Sequence, residues 1–99
     1  MKKTAVKKPE HKIKDILEKF LDPKDYEFFL FGSRADGQAD SFSDYDIGIS
    51  GKRGVPLKTL SLMREAFEES NLPFKVDILD FSQVSQKFKN QALKKKVTF

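Results

Sequence analysis

The chain has no cysteine, so disulfides and thiolate metal sites are excluded. It has one histidine, His11, which falls in what reads as a first helical turn and is taken as a surface residue. No apolar run approaches the length of a membrane span. The basic start, MKKTAVKK, resembles the first part of a secretion signal, but no apolar stretch follows it. These absences point to a soluble, cytoplasmic protein. Hydrophobic residues are scarce at 38%, yet 10 of the 99 residues are Phe, and large rings let a short chain bury much area from few positions. One modest core and a single domain are expected over residues 9–99, preceded by a flexible basic tail over 1–8.

The net charge is +4, and the excess lysines sit near the ends, in MKKTAVKK and ALKKKV. Such runs serve as solvated tails or as phosphate- and nucleic-acid-attracting patches. No aromatic stacking platform interleaves with them, so the solvated reading is preferred and nucleic acid is not expected as a partner.

Apolar periodicity gives the order of elements. Ile13, Ile16, Leu17, Phe20 and Leu21 form one helical stripe, opened by Pro9 and closed by Asp22-Pro23. YEFFLF, from Tyr26 to Phe31, reads as a buried strand, and DYDIGIS, from Asp44 to Ser50, as a second. The segment DGQADSFS between them is loop chemistry. A second helix is expected from Pro56 to Ser70, striped by Leu60, Met63 and Phe67. FKVDILDF, from Phe74 to Phe81, is a third strand. Ser82 is the expected cap of a last helix carrying Val84, Phe88 and Ala92. The fold class is α/β or α+β, a small sheet with helices packed on it.

Strand alternation puts Asp44, Asp46 and Gly48 on one face and Tyr45, Ile47 and Ile49 on the core face. Gly48 should leave room for something to approach. If Val76 and Ile78 join the core, Asp77 emerges beside the other two acids. It stands in an apolar strand, where an unpaired acid is costly. One like-charge contact at about 4 Å costs about 4 kcal/mol at an effective dielectric of about 20. Such a cluster persists if one acid keeps a proton or a hard cation sits among them, and all-oxygen ligands suit Mg²⁺ or Mn²⁺. Asp80 points the other way and reads as a strand-end residue or a cap. Gly32 follows a buried strand directly, and Ser33 offers a hydroxyl and an N–H where a helical turn would start, a place that attracts phosphate.

Together these residues form the pattern G-S-x10-D-x-D, with a later apolar strand bearing Asp77. The pattern resembles the nucleotidyltransferase superfamily that includes DNA polymerase beta. The segment LFGSRADG is most similar to its smallest members, the minimal nucleotidyltransferases. The resemblance implies a mixed sheet with helices on one face and a metal cleft on the other. It implies an enzyme that moves a nucleoside monophosphate, with ATP as the expected donor, to a hydroxyl. Gly32 and Ser33 would hold the β- and γ-phosphates. Asp44 and Asp46 would bind Mg²⁺, and Asp77 would complete the site at the attacking oxygen. Arg34 matches the family's Gly-Ser-Arg and would either reach a phosphate or pair with a nearby acid. Lys52 and Arg53, after the second strand, would steer the triphosphate or simply form a basic turn. The chain shows no second domain to hold an acceptor. The implied acceptor site therefore comes from another chain, through a homo-oligomer or a helical HEPN-type partner whose tyrosine is adenylylated. The alternative implied by the same resemblance is a non-catalytic antitoxin subunit acting through contacts alone.

Overall fold

The computed structural model describes residues 9–32, 44–94 and 96–98. The basic tail over 1–8, and Ser33 and Arg34, lie outside the described residues.

Helix α1 spans Pro9–Phe20 and buries Ile13 and Leu17 from the expected stripe. Its end runs into Leu21, whose N–H still donates to the Leu17 carbonyl at 3.0 Å. Strand β1, Tyr26–Phe31, pairs antiparallel with β2, Tyr45–Gly51. Helix α2, Leu57–Glu68, buries Leu60, Met63 and Phe67. It connects β2 to β3, Val76–Asp80, which lies parallel to β2, and a parallel pair needs such a crossover. A single 3-10 turn, Phe81–Gln83, follows, then helix α3, Gln86–Leu93, and a two-residue strand β4, Val97–Thr98. The sheet order is β3-β2-β1-β4, so β2 is central and β4 pairs antiparallel with β1.

The element order matches the sequence reading up to the last strand. Strand β4 was not expected there, because it is short, exposed and set in a lysine-rich segment. Glu27 of β1 holds it by accepting from Lys96 Nζ at 2.9 Å and Thr98 Oγ1 at 3.1 Å. The caps also differ from expectation. Ser82 falls inside the 3-10 turn, and the residue that caps α3 is Ser85, whose hydroxyl accepts from the Phe88 N–H at 3.2 Å.

Alternation divides the sheet into two unlike faces. Phe28 and Leu30 of β1, Ile47 and Ile49 of β2, and Ile78 of β3 face the side chains from α1 and α2 and form the main core. Each such fully buried side chain stabilises the fold by about 1.5–3 kcal/mol. The buried aromatic content of YEFFLF is thus satisfied within the chain. The opposite face carries Phe29, Phe31, Asp46, Gly48, Asp77 and Leu79. Here Phe81 packs edge-on against Phe29 at 4.9 Å and Phe31 at 5.2 Å between ring centroids. The room expected at Gly48 is taken by this cluster. A Cβ there would collide with the Phe29 ring and come within 2.8 Å of Phe81. Gly48 serves aromatic packing rather than ligand approach.

Asp80 supports the junction from the core side. It is only 4% exposed, and its carboxylate is used twice. Val55 N–H donates to Oδ2 at 2.7 Å, and Ser82 N–H donates to Oδ1 at 2.9 Å. The acid caps the 3-10 turn and ties the loop before α2 to the end of β3, as the strand-end or cap reading anticipated.

Candidate functional site

The register of the three main strands assembles the site. Asp46 is the second residue of β2, with Phe31 of β1 opposite on one side and Asp77 of β3 on the other. Neighbouring strands lie about 4.7–4.9 Å apart, which sets the two acids side by side. The in-register pairing of Asp46 with Asp77 is the neighbouring-strand juxtaposition expected from the sequence. Asp44 precedes β2 by one residue and is exposed.

Asp46 feels both neighbours. Its carboxyl is held above the ordinary value of 3.8, first by burial and then by the negative charges of Asp77 and Asp44. Burial and like charges act in the same direction on a carboxylate. Asp77 itself is exposed and lies 3.7 Å from Lys75 Nζ. The cost of a buried acid that pointed to Asp77 in the sequence therefore falls on Asp46. The fully buried acid of β3 is Asp80, which its two N–H partners satisfy.

Gly32 closes the site from the end of β1. Its φ is +78°, a backbone conformation that favours glycine. A Cβ at this position would stand 2.5 Å from Asp46 Oδ2. Gly32 thus lies against the inner carboxylate, and only its missing side chain lets it do so. A cleft of about 710 Å³ opens beside these residues, lined among others by Phe31, Asp46, Asp77, Lys75 and Arg64. Lys52 and Arg53 follow β2, at the end of the strand away from Asp46, and both are exposed. They form a basic turn distant from the acids.

A hard divalent cation fits this donor set. The ligands on offer are carboxylate oxygens, and a cation would offset the charges of Asp77 and Asp44 that, after burial, hold the Asp46 carboxyl up. Among the described residues no three acidic or histidine side chains converge closely enough to form a complete cage. Mg²⁺ does not require one, since it commonly takes one or two protein carboxylates and completes its shell with water and phosphate oxygens. Among the described residues no helix is long and apolar enough to cross a membrane.

Comparison with known proteins agrees with the fold. Residues 11–99 match the family model described as Polymerase beta, Nucleotidyltransferase. Over 77 residues the chain is 36% identical to the probable protein adenylyltransferase MntA of Haemophilus influenzae, covering 78% of this chain and 66% of that protein. The chain thus spans just under two thirds of that relative's length. Among solved structures, a toxin–antitoxin complex with AMP-PNP superposes with a TM-score of 0.74 at 24% identity, over 92% of this chain and 72% of that one. The complex of a tri-AMPylated Shewanella oneidensis HEPN toxin with its MNT antitoxin gives a TM-score of 0.67 at 22% identity, covering 90% and 66%. At these identities the structures speak for the fold. With the sheet, the Gly32 turn and the acids in register, this chain belongs to the polymerase beta nucleotidyltransferase family.

Proposed function

We propose that the protein transfers a nucleoside monophosphate, AMP from ATP, to a hydroxyl of a protein partner. The observation that carries the reading is the close approach of Gly32 to Asp46, whose carboxyl is raised by burial and by the charges of Asp77 and Asp44. In this reading the chain leaving Gly32 accepts phosphate and the acids beside it accept a cation, which is what a metal-bound triphosphate requires.

In this reading Gly32 and Ser33 hold the β- and γ-phosphates, and Arg34 adds a guanidinium to the same turn. Asp44 and Asp46 hold Mg²⁺, with Mn²⁺ as a substitute of the same chemistry. Asp77, in register with Asp46 on the next strand, faces the attacking hydroxyl and accepts its proton. Mg²⁺, when bound there, offsets the charge of the leaving pyrophosphate and acidifies the attacking hydroxyl. The relative's name, protein adenylyltransferase, supports a protein acceptor. The complex of an MNT antitoxin with a tri-AMPylated HEPN toxin supports a HEPN-type partner; a tyrosine of that partner is the acceptor we propose.

A second reading, an antitoxin subunit that works through contacts alone, draws on the same complex. Calorimetry with AMP-PNP, with and without Mg²⁺, tests the first reading. Saturable binding that requires Mg²⁺ and is lost in Asp46→Asn supports it. Binding that ignores both overturns it. If Asp44→Asn with Asp46→Asn still neutralises a partner toxin, the contact reading prevails.

A further inference from the structure

We infer that the exposed ring of Phe88 is the platform on which the nucleobase stacks, an inference that rests on the nucleotidyl-transfer reading above. Helix α3 has no buried residue, and Phe88 on it is 41% exposed. An exposed Phe is costly to display on a helix that lacks an anchor of its own. Yet the ring is held in place. It meets Phe31 edge-on at 6.1 Å and 89°, and Phe81 at 6.0 Å and 45°. Two neighbouring rings fix its orientation, and its remaining surface is open to solvent.

Its position relative to the acids gives that surface a role. Phe31 is opposite Asp46 in the β1–β2 register and is followed at once by Gly32. The series Asp46, Phe31, Phe88 therefore leads from the inner acid to an exposed aromatic ring. The other rings on this face, Phe29 and Phe81, are fully buried, and Phe31 is half-buried. Leu57 and Leu62, the exposed apolar residues of α2, belong to a helix packed on the opposite face. Among the described residues, Phe88 is the large exposed aromatic on the face that carries the acids. A nucleotide with its phosphates at Gly32 has to place a flat heterocycle nearby, and a half-exposed Phe offers aromatic surface for it. Stacking of this kind tolerates any base and adds affinity that the phosphates do not provide. Base identity would then be read weakly, by stacking area rather than by hydrogen bonds.

The test uses the full chain with Mg²⁺ and two probes, AMP-PNP and inorganic tripolyphosphate, on wild type, Phe88→Ala and Phe88→Trp. Phe88 lies outside the main core, so the alanine variant loses its ring contacts with Phe31 and Phe81 and keeps that core. Phe88→Ala is expected to weaken AMP-PNP about tenfold and to leave tripolyphosphate within about twofold. Phe88→Trp is expected to restore AMP-PNP. Unchanged AMP-PNP affinity in Phe88→Ala would overturn the inference and leave the ring to partner contact. Equal weakening of both probes would also overturn it, since that marks a structural role. If wild type binds neither probe, the nucleotidyl-transfer reading itself fails, a result distinct from both.

Discussion

Gly32 and Asp46 are packed so closely that the glycine's missing side chain is the space the carboxylate occupies. A methyl group at Gly32 meets Asp46 Oδ2 at 2.5 Å, and the φ of +78° adds backbone strain for any L-residue. Gly32→Ala is expected to lower stability by about 1–3 kcal/mol. It should also displace the acid, so Mg²⁺-dependent AMP-PNP binding is lost. Urea unfolding and calorimetry check the two effects separately. Retained binding in a destabilised variant would show that the turn does not shape the site.

Asp46→Asn separates function from stability by sign. The folded-state carboxyl is raised above 3.8, so the folded chain holds the proton more tightly than the unfolded one. Stability therefore falls as pH rises from 3.8 through the raised value, and the full cost is present above it. The asparagine variant lacks this term. It should melt higher than wild type at neutral pH, and the difference should vanish in acid below the unfolded value. Added Mg²⁺ should raise the melting temperature of wild type and not that of the variant.

Removing Asp80 should behave in the opposite way. Asp80→Ala leaves the Val55 and Ser82 N–H groups without their acceptor. An unsatisfied buried donor costs about 1–3 kcal/mol. Chemical denaturation should show that loss, with tripolyphosphate affinity unchanged at a temperature where the variant stays folded. Loss of affinity in the folded variant would place Asp80 in the site.

The tie between Glu27 and β4 should respond to salt and acid. The Lys96 hydrogen bond lowers the Glu27 carboxyl below its ordinary 4.5, against burial, with Thr98 and the Lys96 charge assisting. A lowered carboxyl contributes stability above the unfolded value, and that contribution is lost as pH falls through the folded one. The groups are exposed, so Glu27→Gln should cost less than about 1 kcal/mol, and high salt should shrink the difference. Denaturation at two salt concentrations measures it.

The long elements and the placement of the acids were legible because their patterns are local. The α1 stripe, the alternation around Tyr45, Ile47 and Ile49, and the outward turn of Asp77 all follow from periodicity. What stayed hidden depends on contacts between distant positions. Phe29, opposite on β1, and Phe81, just after β3, fill the space above Gly48, so the glycine read as an opening. Strand β4 exists through Glu27, some 70 positions earlier, and two exposed residues leave no periodic trace. The shift of the α3 cap from Ser82 to Ser85 follows from Asp80, which captures the Ser82 N–H and starts a separate turn. Phe88 read as one of a helix's apolar face, and nothing local shows that this helix buries none of its residues.

The central place of β2 also sets the order in which the molecule comes apart. Its amides are bonded on both sides, to β1 and β3, whereas β4 has one partner and α3 has no buried anchor. Hydrogen exchange should therefore be slowest around Ile47–Ile49 and fast in α3 and β4, where opening is local fraying rather than global unfolding. The inner acid rides on the last part of the chain to loosen and the aromatic ring on one of the first. A base resting on that ring would be let go while the carboxylates keep their register, so in the proposed reaction departure of the partner that carries the transferred AMP would begin at α3.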